Sequence, residues 1–304
     1  MQRTRKYAVM AAALATIFSA RALAGPEAVP PAATPFHVGA YELVSLRDMA
    51  FVEPNDGKTF GVGEPESAVA DVLRKAGAPT DKIMLSVDAL LVKMPGHVVL
   101  IDTGLGPKIG GDLMQSLALA GVKPDAVTDV LITHSHGDHV GGLVMADGKS
   151  AFPKAVIRMS KTEWAWMQGH KGAATIVRAV AGQMKPFTPG TPILPGITPI
   201  AIPGHTPGHV GYQIESKGRH LFDVGDTVHS SIISLAKPQW AMGFDNDEQQ
   251  GEASREKVLA KLAADHERIF APHFPYPGVG YIVKKGDGYG WVPDLKPAVD
   301  KTGE

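Results

Sequence analysis

The heptapeptide Thr133-His134-Ser135-His136-Gly137-Asp138-His139 limits what this chain can become more than any other stretch. It places three imidazoles and a carboxylate within six positions. Val130-Leu131-Ile132 before it is apolar and β-branched, the mark of a buried strand. Val140-Gly141-Gly142-Leu143 after it suits the entry to a helix. The cluster therefore belongs on a loop at a strand end, where a rigid scaffold aims several side chains at one point. Imidazole and carboxylate suit a divalent transition ion, zinc first, with manganese, cobalt or iron(II) as alternatives. Six consecutive positions cannot wrap four ligands around one ion without strain. A pair of ions is easier, with His134 and His136 on one and Asp138 and His139 on the other.

Two ions need more ligands, and three later segments offer them, each behind an apolar strand. They are Pro203-Gly204-His205-Thr206-Pro207-Gly208-His209, Phe222-Asp223-Val224-Gly225-Asp226-Thr227 and Phe270-Ala271-Pro272-His273. A lone His or Asp at a strand end is ordinarily a turn residue. Four such places in this order are a far narrower pattern. Residue chemistry does not choose between His205 and His209. Asp223, on its strand, is less well placed than Asp226.

The ends of the chain read differently. Arg3, Arg5 and Lys6 are followed by a short apolar run from Ala8 to Phe18 and by the small-x-small site Ala22-Leu23-Ala24. Residues 1–24 are thus expected to be a secretory signal peptide, too short for a comfortable membrane span. A periplasmic or secreted protein follows, without stable membrane insertion after cleavage. The leader takes Arg3, Arg5, Lys6 and Arg21 and no acid, so the formal charge moves from −1 to −5, one unit for each basic residue lost. That balance disfavours nucleic acid as a partner. The chain has no cysteine, which removes thiolate ligands and cysteine nucleophiles. At this length an exported chain can bury a core without disulfides. Residues 25–35, rich in Pro and Ala, read as a linker, and 36–304 as one domain.

Within that domain, strands are expected at Tyr41–Leu46, Asp88–Met94, Val98–Ile101, Ala155–Met159, Ile200–Ile202, Gly211–Ile214, His220–Phe222 and Arg268–Ala271. Helices are expected at Glu66–Ala76, Leu113–Ala120, Ala173–Met184 and Glu252–His266, with a capping box Ser160-Lys161-Thr162-Glu163 opening another. Glu53–Gly63 and 186–199 read as connectors. Several strands come in consecutive pairs, which fits mixed sheets with helices outside rather than a doubly wound parallel sheet.

With these four motifs in view, the chain resembles the metallo-β-lactamase superfamily. His134-Ser135-His136-Gly137-Asp138-His139 stands where that family carries H-x-H-x-D-H. The later segments match its further motifs, and Asp102 in Leu100-Ile101-Asp102-Thr103-Gly104 matches its early one. The resemblance runs from about Phe36 to Pro293. It implies an α/β (α+β) fold, an αββα four-layer sandwich with two metals in a cleft at one edge. By the same resemblance His134, His136 and His209 hold one ion, Asp138, His139 and His273 the other, and Asp226 bridges them. Asp102 becomes a buried acceptor that orients the ligand loop. The implied chemistry is hydrolysis by a metal-bridged hydroxide, with Asp138 both ligand and proton acceptor.

Within the superfamily the resemblance is strongest to secreted methyl parathion hydrolase-like proteins and their lactonase relatives. Asp226 is present, whereas β-lactamases of this fold commonly lack that bridge. Organophosphate-cleaving members crowd the leaving group with phenylalanines. Here the corresponding regions read Leu105-Gly106-Pro107-Lys108 and Ala173-Ala174-Thr175-Ile176. An ester or lactone hydrolase is therefore the expected activity, with phosphotriester hydrolysis as the alternative. A β-lactamase and a non-catalytic periplasmic binding protein rank lower, the latter because binding alone does not need seven ligands. The partner is a small molecule, with a homodimer left open. Trp164 and Phe244 are candidates for the apolar wall of the cleft. His229, three residues beyond Asp226, stands where some lactonases carry a tyrosine, and is a candidate donor to the substrate oxygen or leaving alkoxide.

Overall fold

The computed structural model describes residues 25–27 and 29–295. The expected signal peptide, residues 1–24, lies outside the described residues. The first part of the chain forms β1 (Gly25–Glu27), β2 (Ala32–Val38), β3 (Tyr41–Pro54), β4 (Phe60–Val62), β5 (Lys82–Met94), β6 (His97–Ile101), β7 (Asp129–Leu131) and β8 (Val156–Arg158). The second part forms β9 (Ile197–Ala201), β10 (Val210–Ser216), β11 (Arg219–Asp223), β12 (Ala241–Met242), β13 (Arg268–Phe270), β14 (Val279–Lys285) and β15 (Gly288–Pro293). The helices are α1 (Glu66–Lys75), α2 (Leu113–Leu119), α3 (Gly137–Val140), α4 (Lys161–Gly169), α5 (Ala174–Val180), α6 (Ile233–Ala236) and α7 (Glu248–Asp265).

Each part builds its own sheet. One has the order β1-β3-β5-β6-β7-β8, with β2 also on β3, and the other has β15-β14-β13-β11-β10-β9. β4 and β12 pair separately. Alternation along the strands sorts side chains into layers. On β5, Leu90 and Val92 face the second sheet and meet Tyr212 and Ile214 of β10. Ala89 and Leu91 face the other way, toward Leu113 and Leu117 of α2 and Met167 of α4. Behind the second sheet, Phe222 and Ile269 pack on Leu259 and Leu262 of α7. The result is the αββα sandwich.

Three expectations need correction. The segment taken for a linker, 25–35, carries β1 and the start of β2, both antiparallel to β3. Its prolines suit edge strands, where a missing N–H costs least. The strand expected at Arg268–Ala271 is also not the last, because β14 and β15 extend the second sheet as a hairpin. Finally, Phe60–Val62 inside the expected Glu53–Gly63 loop is a strand, pinned to β12.

Two pairs of parallel neighbours place the site. β6 runs parallel to β7, and β11 to β13. Parallel strands end together, so the loops after them share one edge of the sandwich. The two sheets are stitched there: Ser86 and Asp88 of β5 donate their N–H groups to His273 O (3.2 Å) and Pro272 O (3.1 Å).

Candidate metal centre

Two groups of ligand atoms converge at that edge. In the first, His134 Nε2, His136 Nδ1 and His205 Nε2 lie 2.9–3.2 Å apart pairwise. Asp226 Oδ2 stands 3.2 Å from His205 Nε2 and 3.5 Å from His134 Nε2. In the second, His139 Nε2 lies 3.5 Å from Asp138 Oδ2 and 3.2 Å from Asp226 Oδ1. His273 Nε2 lies 3.5 Å and 3.1 Å from the same two oxygens. Four ligands at zinc–nitrogen bond lengths around a tetrahedron stand about 3.3 Å apart, so both spacings suit a divalent ion. Asp226 gives one oxygen to each group.

The hydrogen bonding of the rings agrees with that purpose. Nδ1 of His139 bonds Asp102 Oδ2 at 2.8 Å, that of His205 bonds Asp245 Oδ1 at 3.0 Å, and that of His273 bonds Ser86 O at 2.7 Å. His134 Nδ1 meets Thr133 Oγ1 at 3.0 Å. With Nδ1 so engaged, Nε2 is left to aim its lone pair inward. His139 Nε2 and Asp226 Oδ1 are buried without any hydrogen-bond partner. Buried polar atoms are rarely orphaned, and a cation between them would satisfy both. Burial holds His136 down to about 4. Burial disfavours ionisation of Asp138 and Asp226, but the surrounding histidines, His139 first and then His273, together outweigh it and keep both carboxylates below their usual range. The donor set thus fits two divalent ions, with His134, His136, His205 and Asp226 able to hold one and Asp138, His139, Asp226 and His273 the other.

One assigned ligand is displaced. His209 does not join either group; His205 takes the place given to it. His209 Nδ1 donates to Ile202 O (2.9 Å), and Nε2 accepts the Asp226 N–H (2.9 Å). Both nitrogens are spent, and burial lowers the ring to about 3, so it stays neutral. It serves as a brace under the bridging aspartate. Gly225 has φ +50°, and a Cβ there would stand 2.6 Å from His209 Nε2. Glycine lets the Asp226 turn close onto this brace.

The brace between the two histidine loops is a residue that looked like a helix cap. Ser160 Oγ accepts the Glu163 N–H at 3.1 Å, as in a capping box. The Glu163 carboxylate, however, does not return to the Ser160 N–H. Fully buried, it accepts from Ser135 N (2.8 Å) and Oγ (2.6 Å), and from Thr206 Oγ1 (2.8 Å) and Gly208 N (2.9 Å). It therefore ties the loop of His134 and His136 to that of His205. Gly208 allows the approach, since a Cβ there would lie 2.2 Å from Glu163 N. Behind His205, Asp245 is held by Arg255 Nη1 at 3.3 Å. Arg255 sits in the buried stripe of α7 with Gly251, Leu259 and Leu262. A cation on an otherwise apolar stripe was the available signal for it. Asp245 had none, lying beside Asp247, which caps α7.

The remaining candidates divide. Asp102 accepts from Thr133 N (2.8 Å), Thr133 Oγ1 (2.7 Å) and His139 Nδ1 (2.8 Å), orienting the ligand loop. A cleft of about 500 Å³ opens over the two groups, with His229, Phe244, Leu105, Leu85 and Val87 on its walls. His229 Nε2 lies 3.0 Å from Asp226 Oδ2, its ring stacks on His273 at 5.2 Å, and its buried Nδ1 has no partner. Trp164 is not in the cleft. It packs against the core between the first sheet and its helices, because it follows Glu163 on α4 and points into that layer. Trp166 instead approaches His136, with ring centroids 6.1 Å apart. A larger groove, about 710 Å³, lies between β2, β11 and the start of β13. It shows no comparable convergence: Asp294 pairs with Arg268, and Glu267 with Gln213 and Lys261.

Residues 84–273 match the model of the metallo-beta-lactamase superfamily, and the chain belongs to that family. Among solved structures it is similar to AidC, described as a dizinc quorum-quenching lactonase in complex with a product, N-hexanoyl-L-homoserine. The TM-score is 0.82 at 28% identity, covering 88% of this chain and 98% of that one. It is similar also to AbOPH, described as a hydrolase in the beta lactamase superfamily, with TM-score 0.81 at 27% identity, covering 88% and 99%. Among curated proteins, the hydroxyacylglutathione hydrolase of Yersinia pestis (strain Pestoides F) is 33% identical over 147 residues, 47% of each chain. The chain thus spans about half the length of such curated relatives.

Proposed function

We propose that the protein is a dinuclear metal-dependent hydrolase of esters or lactones, exported to the periplasm or beyond. The observation that carries this is the sharing of Asp226, one oxygen to each ligand group, beneath an apolar cleft. Likeness to a dizinc lactonase at 28% identity supports both zinc and a cyclic ester. The basic, apolar and small-residue pattern of residues 1–24 supports export. No helix among the described residues is long and apolar enough to cross a membrane.

Bound divalent ions supply Lewis acidity and a water acidified toward neutrality. The chain's own residues do the rest. Asp226 fixes the spacing of the two groups. Asp138, whose side chain is 29% exposed, is the most open of the ligand carboxylates and takes the proton of the attacking water. Nε2–H of His229, on the cleft wall 3.0 Å from Asp226 Oδ2, is the donor offered to the oxygen of the opening ester. Leu85, Val87 and Phe244 take up an apolar acyl group and exclude water.

Metal analysis and a substrate panel test the proposal. The purified protein should contain two divalent ions and open lactones or cleave aryl esters. Chelation or Asp226→Ala should abolish turnover while the fold persists by circular dichroism. Undiminished activity in either would overturn the two-metal reading, and turnover of phosphotriesters alone would move the substrate class. His229→Ala should lower kcat by about ten- to a thousand-fold with metal content unchanged, which brackets a typical acid–base contribution.

A further inference from the structure

We infer that Glu53 makes the cleft select esters or lactones whose acyl chain carries a hydroxyl or ammonium group beyond an apolar spacer; this rests on the hydrolytic reading above. β3 and β5 pair with Met49 opposite Val87, Phe51 opposite Leu85 and Glu53 opposite Ile83. Alternate residues of a strand share a face. Phe51 and Glu53 of β3, with Leu85 and Val87 of β5, accordingly form one wall of the cleft. Three of these four are apolar. The fourth is a carboxylate, 7% exposed.

Acids are almost never buried to this degree without partners, and a carboxylate offers about four acceptor positions. Glu53 uses one: Thr59 Oγ1 donates to Oε2 at 3.1 Å. Among the described residues no other side chain or backbone group bonds it, and no cation pairs with it. Burial accordingly raises its pKa. Thr59 is itself anchored to the Phe244 side of the cleft, since Gly243 N donates to Thr59 O at 2.9 Å. The acid is thus held between two walls, with acceptor capacity left over for a ligand.

Its place along the wall sets the length of the spacer. His273, a member of the second ligand group, bonds Ser86 O, and Glu53 lies opposite Ile83, three residues along β5. At about 3.3 Å per residue, Glu53 stands on the order of 10 Å from the metal-binding end. Leu85 and Phe51 occupy the interval. A medium-length alkyl chain with a donor at its end fits this sequence of apolar wall and acceptor.

The test uses the zinc-loaded protein and three chain-matched substrates: the phenyl ester of heptanoic acid, and those in which the terminal methyl is replaced by hydroxyl or by ammonium. The wild type should favour the two donor-bearing esters by about ten- to a hundred-fold in kcat/KM, chiefly through KM, as one hydrogen bond to a charged group would give. Glu53→Leu should reverse the order. Glu53→Gln should keep a preference for hydroxyl and lose that for ammonium. Equal handling of the three esters by the wild type, or selectivity untouched by Glu53→Leu, overturns the inference. Calorimetric binding of the three free acids reads the same selection without turnover. If no ester or lactone is cleaved yet the acids show selection dependent on Glu53, the hydrolytic reading falls and the donor site stands. If esters and lactones are cleaved without selection, the reverse holds.

Discussion

The two ligand groups share Asp226 but are built on different foundations. Each group has three buried members and one half-buried member on the cleft, His136 in the first and Asp138 in the second. His134 and His205 are buried, and their loops are braced by side chains from the outer helical layers: Glu163 of α4 on one side, Asp245 with Arg255 of α7 on the other. The second group rests on the first sheet: Asp102 beyond β6 under His139, and the Ser86 carbonyl of β5 under His273. A carboxylate brace can be removed by one substitution, whereas a backbone carbonyl cannot. The first group rests on two such carboxylates and the second on one, so the first is the more vulnerable in sequence. Its charged braces also explain why a helix of the outer layer carries a buried arginine.

The sharpest way to break this comparison is to exchange the two neighbouring histidines. His205→Ala removes a nitrogen from the first group and should leave the protein with the second ion alone, at little or no turnover. His209→Ala removes only a brace. It should keep both ions while losing about 1–3 kcal/mol of stability, the usual penalty when a buried hydrogen-bonding group is left unpaired. Metal content by mass spectrometry and Tm separate the outcomes. Loss of an ion in His209→Ala with retention in His205→Ala would reverse the assignment.

A smaller effect tests the foundations themselves. Glu163→Gln places an amide against one of two N–H donors, Ser135 N or Gly208 N, and loosens the loops of His134, His136 and His205. Metal affinity of the first group should fall by about 10- to 100-fold, the typical effect of losing an outer partner, with the second group less affected. Asp102→Asn should show the opposite order, because His139 depends on it. Stepwise titration with a chromophoric chelator distinguishes the two ions. Equal weakening of both in either variant would mean that the groups are one unit.

Much of this was readable from residue types. Val130-Leu131-Ile132 and the histidine loop announced a strand end carrying ligands, and the strand pairs at Asp88–Met94 and Val98–Ile101 announced mixed sheets. What stayed hidden depends on long-range register. His205 and His209 lie four residues apart in one Gly-Pro-rich loop. Only the closing of that loop, with His209 Nδ1 turned back on Ile202 O, decides which ring faces the ions. Glu163 sat three residues after Ser160, where a local explanation was sufficient, so its reach to Ser135 and Gly208 was masked. Glu53 lay in a segment read as a loop, and only pairing along β3 and β5 turns it into a wall residue.

The smallest effect concerns the open side of the site. Asp48 lies where the β3–β5 register shifts, a bulge that turns its side chain away from the regular pairing. Its carboxylate accepts from Leu105 N (2.7 Å) and Leu113 N (2.8 Å), pinning the loop that carries Leu105 to the cleft. Burial pushes Asp48 up to about 6, against the opposing pull of those two N–H groups. An acid whose folded pKa exceeds its unfolded value binds its proton more tightly when folded. Its contribution to stability is therefore full below about pH 4 and is lost as pH rises through about 6. A shift of about two units corresponds to roughly 3 kcal/mol as an upper figure. Asp48→Asn removes this dependence. The difference in urea stability between pH 4.5 and pH 7, measured on chelated protein so that metal loss does not intrude, should be smaller in the variant by up to that amount. An identical pH slope in both proteins would mean that Asp48 is solvated when ionised, and that the loop over the second group is held by its backbone alone.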